Sequence, residues 1–131
     1  MNPNVEQAYQ EIGRVALEAA GDRTGKLIVY SEVEDGVISA DVFYLAGDGV
    51  VRYRFSPKEL KNIIYSFWQL WKGQPGNAEW RTMTYVIDGG KFSMKLAYPD
   101  HVDPEEDLLD RRKPVLDAHF GGAKVDYSNP R

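Results

Sequence analysis

Asp35-Gly36 separates two stretches, residues 26–34 and 37–45, in which β-branched and aromatic side chains alternate with polar ones. Alternation puts every second side chain on the same face of a strand, and Asp-Gly accepts the backbone of a tight turn. The segment therefore predicts an antiparallel hairpin. Residues 79–87 and 91–98 repeat the pattern around Asp88-Gly89-Gly90, with Phe92, Met94, Leu96 and Tyr98 on one face and Lys91, Ser93 and Lys95 on the other. A further short strand, residues 50–55, follows the Gly47-Asp48-Gly49 turn.

Between and around these strands the spacing becomes helical. Val5, Ala8, Tyr9, Ile12, Ala16, Leu17 and Ala20 recur every third or fourth residue up to Gly21, which predicts an amphipathic first helix. Leu60, Ile63, Ile64, Phe67, Leu70 and Trp71 form an apolar stripe ending at Gly73, and Ser56-Pro57-Lys58-Glu59 reads as a capping box opening that helix. In the last third, Asp103 is the expected N-cap and Pro104 the first-turn residue of a helix carrying Leu108, Leu109, Arg112, Leu116 and Phe120. Pro114 should kink that helix or divide it in two, and the tail beyond Gly121-Gly122 should be extended. The expected fold is α+β in the order α-βββ-α-ββ-α, one antiparallel sheet of about five strands packed by helices. A chain of 131 residues is the length of one domain, residues 1–131.

Composition excludes several functions. With no cysteine there is no thiolate zinc site, no disulfide framework and no cysteine nucleophile. A formal net charge of −4 argues against a nucleic-acid partner, which needs clustered lysine and arginine. The opening residues resemble no secretory leader and no apolar run is long enough for a membrane span, so a cytoplasmic location is expected.

No motif for catalysis emerges. His101 and His119 have no second histidine at metal-ligand spacing. They read as a surface loop residue and a helix-end cation, respectively. The acidic run Asp100, Asp103, Glu105, Glu106 and Asp107 lacks the spacing of a calcium loop and reads first as a solvated helix start. The glycines mark turns rather than a phosphate cradle. The expectation is a protein that is not an enzyme and holds no cofactor or metal.

Three tryptophans and eight tyrosines are more than a core of this size needs. Tyr30 shares a strand face with Glu32 and Glu34 next to Asp35, and Trp80 stands between Glu79 and Arg81. Aromatics rimmed by carboxylates suit an interface with a basic partner. The candidate partner-binding residues are Tyr30, Glu32, Glu34, Asp35 and Trp80, together with Asp100, Asp103, Glu105, Glu106 and Asp107.

The stretches Gln7-Ala8-Tyr9-Gln10-Glu11-Ile12, Lys26-Leu27-Ile28-Val29-Tyr30-Ser31-Glu32-Val33 and Trp80-Arg81-Thr82-Met83-Thr84-Tyr85-Val86-Ile87, leading through Asp88-Gly89-Gly90-Lys91-Phe92, resemble the YezG-type immunity proteins over nearly the full chain. The resemblance implies an acidic α+β antitoxin, encoded beside a polymorphic toxin, often a nuclease, that it silences by direct binding. It implies a cognate protein toxin as partner, with neither nucleic acid nor membrane involved, and a monomer or weak dimer. The alternatives are a secretion chaperone or adaptor and, in another class, a small-ligand-binding protein or enzyme.

Overall fold

A computed structural model describes residues 3–21 and 25–128. The chain runs α1 (Pro3–Ala20), β1 (Leu27–Glu34), β2 (Val37–Leu45), β3 (Val51–Phe55), α2 (Lys58–Lys72), β4 (Thr82–Asp88), β5 (Lys91–Ala97), a 3₁₀ turn (Pro99–His101), α3 (Leu108–Phe120) and β6 (Val125–Asp126). Both anticipated hairpins form, with Glu34 opposite Val37 and Asp88 opposite Lys91. Asp35 and Gly36 both take positive φ in the first turn, as that turn geometry requires.

The sheet is mixed rather than purely antiparallel, and it has six strands in the order β5-β4-β1-β2-β3-β6. The sixth strand is the tail itself. Gly121 in the left-handed region ends α3 and Gly122 keeps positive φ, which turns the chain back so that Val125 and Asp126 lie parallel to Val51 and Arg52. Arg52 locks the pairing through Asp126 at 2.7 Å. Two residues are too short a run to show alternation, which is why the sequence predicts only an extended tail there. The last residues of that tail, 129–131, lie outside the described residues.

Alternation along β1 assigns its two faces to two different layers. Leu27, Val29 and Val33 join Val42, Tyr44, Met83, Tyr85 and Ile87 under α1 and α2, which pack side by side on that face. The opposite face carries Ile28, Phe43 and Val51, covered by Leu116 of α3. Gly13 of α1 sits where a Cβ would lie 2.5 Å from the Phe92 ring and 2.8 Å from the Tyr85 hydroxyl. A Gly13→Ala variant gains about 1 kcal/mol of helix propensity but must displace both rings, at a cost of about 1–3 kcal/mol. We expect a lower denaturant midpoint with an unchanged slope.

Three local expectations are corrected. Pro57, extended at ψ 152°, is the N-cap of α2, which moves Glu59 one position too early to reach back. The Ser56 hydroxyl donates to the Pro57 carbonyl instead, and no capping box forms. The N-cap of α3 is Asp107, whose carboxylate accepts from the Asp110 amide at 2.9 Å. Asp103 closes a preceding turn by accepting from the Glu105 amide. Finally, α3 is one helix through Pro114 rather than two, with Arg111 and Arg112 before it and Leu116 after it all held against the same sheet face.

Candidate functional site

On the α3 side of the sheet the strand register lays down a polar row. Lys95, Thr84, Tyr30 and Asp41 stand opposite one another across β5, β4, β1 and β2, and Ala97, Thr82, Glu32 and Ser39 form the neighbouring row. Period-two alternation puts these polar side chains on one face, and the later segment from the 3₁₀ turn through the start of α3 folds over them.

Glu32 is the centre of this region. It is 5% exposed and accepts from the Tyr30 hydroxyl at 2.6 Å and from Arg81 Nη1 at 2.9 Å. Arg111 grips it side-on, Nε at 2.9 Å and Nη2 at 2.8 Å. Burial pushes the Glu32 carboxyl up, but the hydrogen bonds from Arg111, Tyr30 and Arg81 outweigh it and hold the group below the ordinary 4.5, as a carboxylate. The same burial, with Glu32 beside it, raises Tyr30 well above its ordinary range, so its hydroxyl stays a donor.

Both arginines extend the cluster outward. Arg81 Nη2 reaches Glu34 at 3.0 Å, and Arg111 Nη1 donates to the backbone carbonyls of Asp103 and Glu106. The loop of residues 102–107 is thus tied by its own backbone to a buried charge. Its carboxylates are left exposed. Among the described residues, Asp100, Asp103, Glu105, Glu106, Asp107 and Asp110 form no ion pair, whereas Glu11, Glu18, Glu34, Asp48, Asp117 and Asp126 all have cationic partners.

A second arginine clamps α3 to the neighbouring strands. Arg112 Nη1 meets Asp41 at 2.8 Å, the Tyr53 hydroxyl donates to the other Asp41 oxygen, and the guanidinium lies 5.0 Å from the Phe43 ring centre. Burial and then the Asp41 hydrogen bond push Tyr53 up to about 12.

Between the polar rows and the loop lies a cleft of about 250 Å³, with Thr82, Thr84 and Tyr30 on its sheet wall and Asp103, Glu106 and Asp110 on its helix and loop wall. Lys95 and His101 also line it. At the far end of α3, burial and then Lys26 and Lys95 lower His119 below its ordinary 6.5, so the neutral form is favoured there. The helix-end cation anticipated at that position is Lys26, which donates to the His119 carbonyl at 3.3 Å.

The ten sequence-derived candidates fall into two groups. Tyr30, Glu32 and Trp80 are buried, not on the surface where the sequence reading put them. The alternating pattern of β1 puts Tyr30, Glu32 and Glu34 on one face, but β1 lies between β4 and β2 with both faces covered. Trp80 is 1% exposed and packs beside Phe67 of α2, its carbonyl accepting from the Trp68 indole at 3.0 Å. Glu34, Asp35, Asp100, Asp103, Glu105, Glu106 and Asp107 are exposed. The chain Glu34–Arg81–Glu32–Arg111 connects Glu34 to the backbone of the loop through buried ion pairs.

Arg81, Arg111, Arg112 and Thr84 were not among the candidates. The sequence signal for Arg111 and Arg112 was their position after an acidic run, which reads equally well as helix-dipole complementation, and Arg81 carried no comparable signal. Among the described residues, no group of three or more His, Cys, Asp or Glu is placed to hold a metal ion, and no helix is long and apolar enough to cross a membrane. No protein-family model matches the chain, and no curated protein matches it significantly.

Proposed function

We propose that this protein is a binding module that presents a held, negatively charged face to a basic protein partner, and that it acts as an immunity protein neutralising a toxin. The observation that carries the reading is the loop of residues 100–110, where six carboxylates form no ion pair among the described residues while its backbone is anchored by Arg111. Like charges held together oppose folding, so a fixed array of them is spent on an outside partner. Anchoring the backbone keeps the array in one arrangement and lowers the ordering cost of association. Exposed Glu34 and Asp35 supply further carboxylates at the β1–β2 turn.

Steering by opposite charge makes association fast and sensitive to salt. The test is recovery of the tagged protein from its native cells followed by kinetics with the recovered partner. The variant Asp35→Asn/Asp100→Asn/Glu105→Gln removes three charges without touching the caps of α3, and asparagine tolerates the positive φ of position 35. We expect a partner with a basic domain, and an association rate lowered about tenfold or more by the triple variant at low salt, with dissociation little changed. An acidic partner, or a rate indifferent to both salt and the substitutions, would refute the proposal.

A further inference from the structure

The acidic face has a hole in it. The cleft under the loop is smaller than the roughly 300–1,000 Å³ of sites for drug-sized ligands, which suits a single inserted side chain. Its sheet wall holds Thr84, only 8% exposed, whose side chain makes no hydrogen bond among the described residues although it lines the opening. The residue is nine-tenths buried, yet its hydroxyl opens onto the cleft with no hydrogen-bond partner among the described residues, which leaves it free to accept from a ligand donor. The charge of the walls selects the kind of ligand. Arg111 is matched by Glu32, which leaves Asp103, Glu106 and Asp110 against the exposed Lys95, an excess of negative charge before any contribution from His101.

We infer that this cleft receives one basic side chain of the docking partner, a guanidinium or ammonium group that donates to Thr84 and is flanked by Asp110 and Glu106. The inference rests on the acidic-face reading above and gives it a centre: a desolvated anchor ringed by carboxylates that steer. Pro114, Val115 and Ala97 supply apolar contact for the alkyl stem. Interfaces commonly concentrate their affinity in such a buried anchor, with arginine among the preferred residues.

Agmatine, an alkyl guanidinium, tests the cleft without the partner, by nuclear magnetic resonance titration of the amide signals of the whole protein. Saturable shifts confined to residues 82–84, 95–97 and 101–111 are expected, with propionate producing none. Thr84→Val keeps the shape and removes the hydroxyl, and should weaken agmatine about fivefold, while Asp110→Asn, on the exposed rim, should weaken it by a similar factor. Both variants should also accelerate dissociation of the recovered partner. Shifts that spread over Asp35, Asp100 and Glu105 without saturating, and that are the same in both variants, would overturn the cleft while leaving the salt-sensitive face intact. Saturable agmatine binding in the cleft beside partner dissociation unchanged by either variant would overturn the partner side chain as occupant and assign the cleft to a free cation.

Discussion

Glu32→Ala is expected to cost about 3–5 kcal/mol, a large part of the stability of an ordinary domain. The substitution leaves Arg81 and Arg111 with side chains 13% and 11% exposed and no carboxylate between them, and it strips the buried Tyr30 hydroxyl of its acceptor. The cost comes from stranding buried charge and donors rather than from the intrinsic worth of an ion pair. Glu32→Gln, which retains an acceptor but loses the charge, should therefore fall between wild type and alanine. Equilibrium denaturation measures all three, and equal stability of Glu32→Ala and wild type would remove Glu32 from the centre of this account.

The same carboxylate sets an acid limit. Its folded pKa lies below the ordinary 4.5, so its contribution is fully present above that value and is lost as the pH falls through the folded-state value. The stability difference between wild type and Glu32→Gln should accordingly shrink on acidification below about pH 4.5 and stay constant above it. Amide exchange in residues 102–107 should rise in step, since Arg111 releases the loop carbonyls when its own anchor is lost.

Trp80→Ala is expected to destabilise the fold by about 3–5 kcal/mol through the cavity it leaves beside Phe67. An interfacial Trp80 would give the reverse result, an intact fold with weakened partner binding. Trp80→Phe separates packing from polarity. The indole Nε1 is buried without a hydrogen-bond partner among the described residues, so phenylalanine removes an unsatisfied donor as well as some volume, and we expect a loss of only about 1 kcal/mol. Thermal melts of the two variants discriminate the readings directly.

Both hairpins, the first two helices and the order of elements through β5 were legible because each depends on local signals: period, turn residues and helix stops. The separation of Phe92, Met94 and Leu96 from Lys91, Ser93 and Lys95 was legible for the same reason. The acidic loop was visible as charge, yet nothing local indicated that its backbone is carried by an arginine reaching a glutamate 79 residues away in sequence. Tyr30 and Trp80 were assigned to the surface because composition counts aromatics without locating the layers that cover them.

What the amino-acid order determined by itself is therefore the elements through β5, which side chains share a face of each strand, and the sign of the exposed charge. Periodicity and turn chemistry act within a few residues, and charge is a property of the list. What only the tertiary structure decided is which strand lies in the middle, which face receives α3, and that Glu32, Arg81 and Arg111 meet beneath the loop with Thr84 open to a cleft beside them. Those outcomes depend on how separate apolar faces are shared among layers, and no stretch of sequence holds that information before the layers pack.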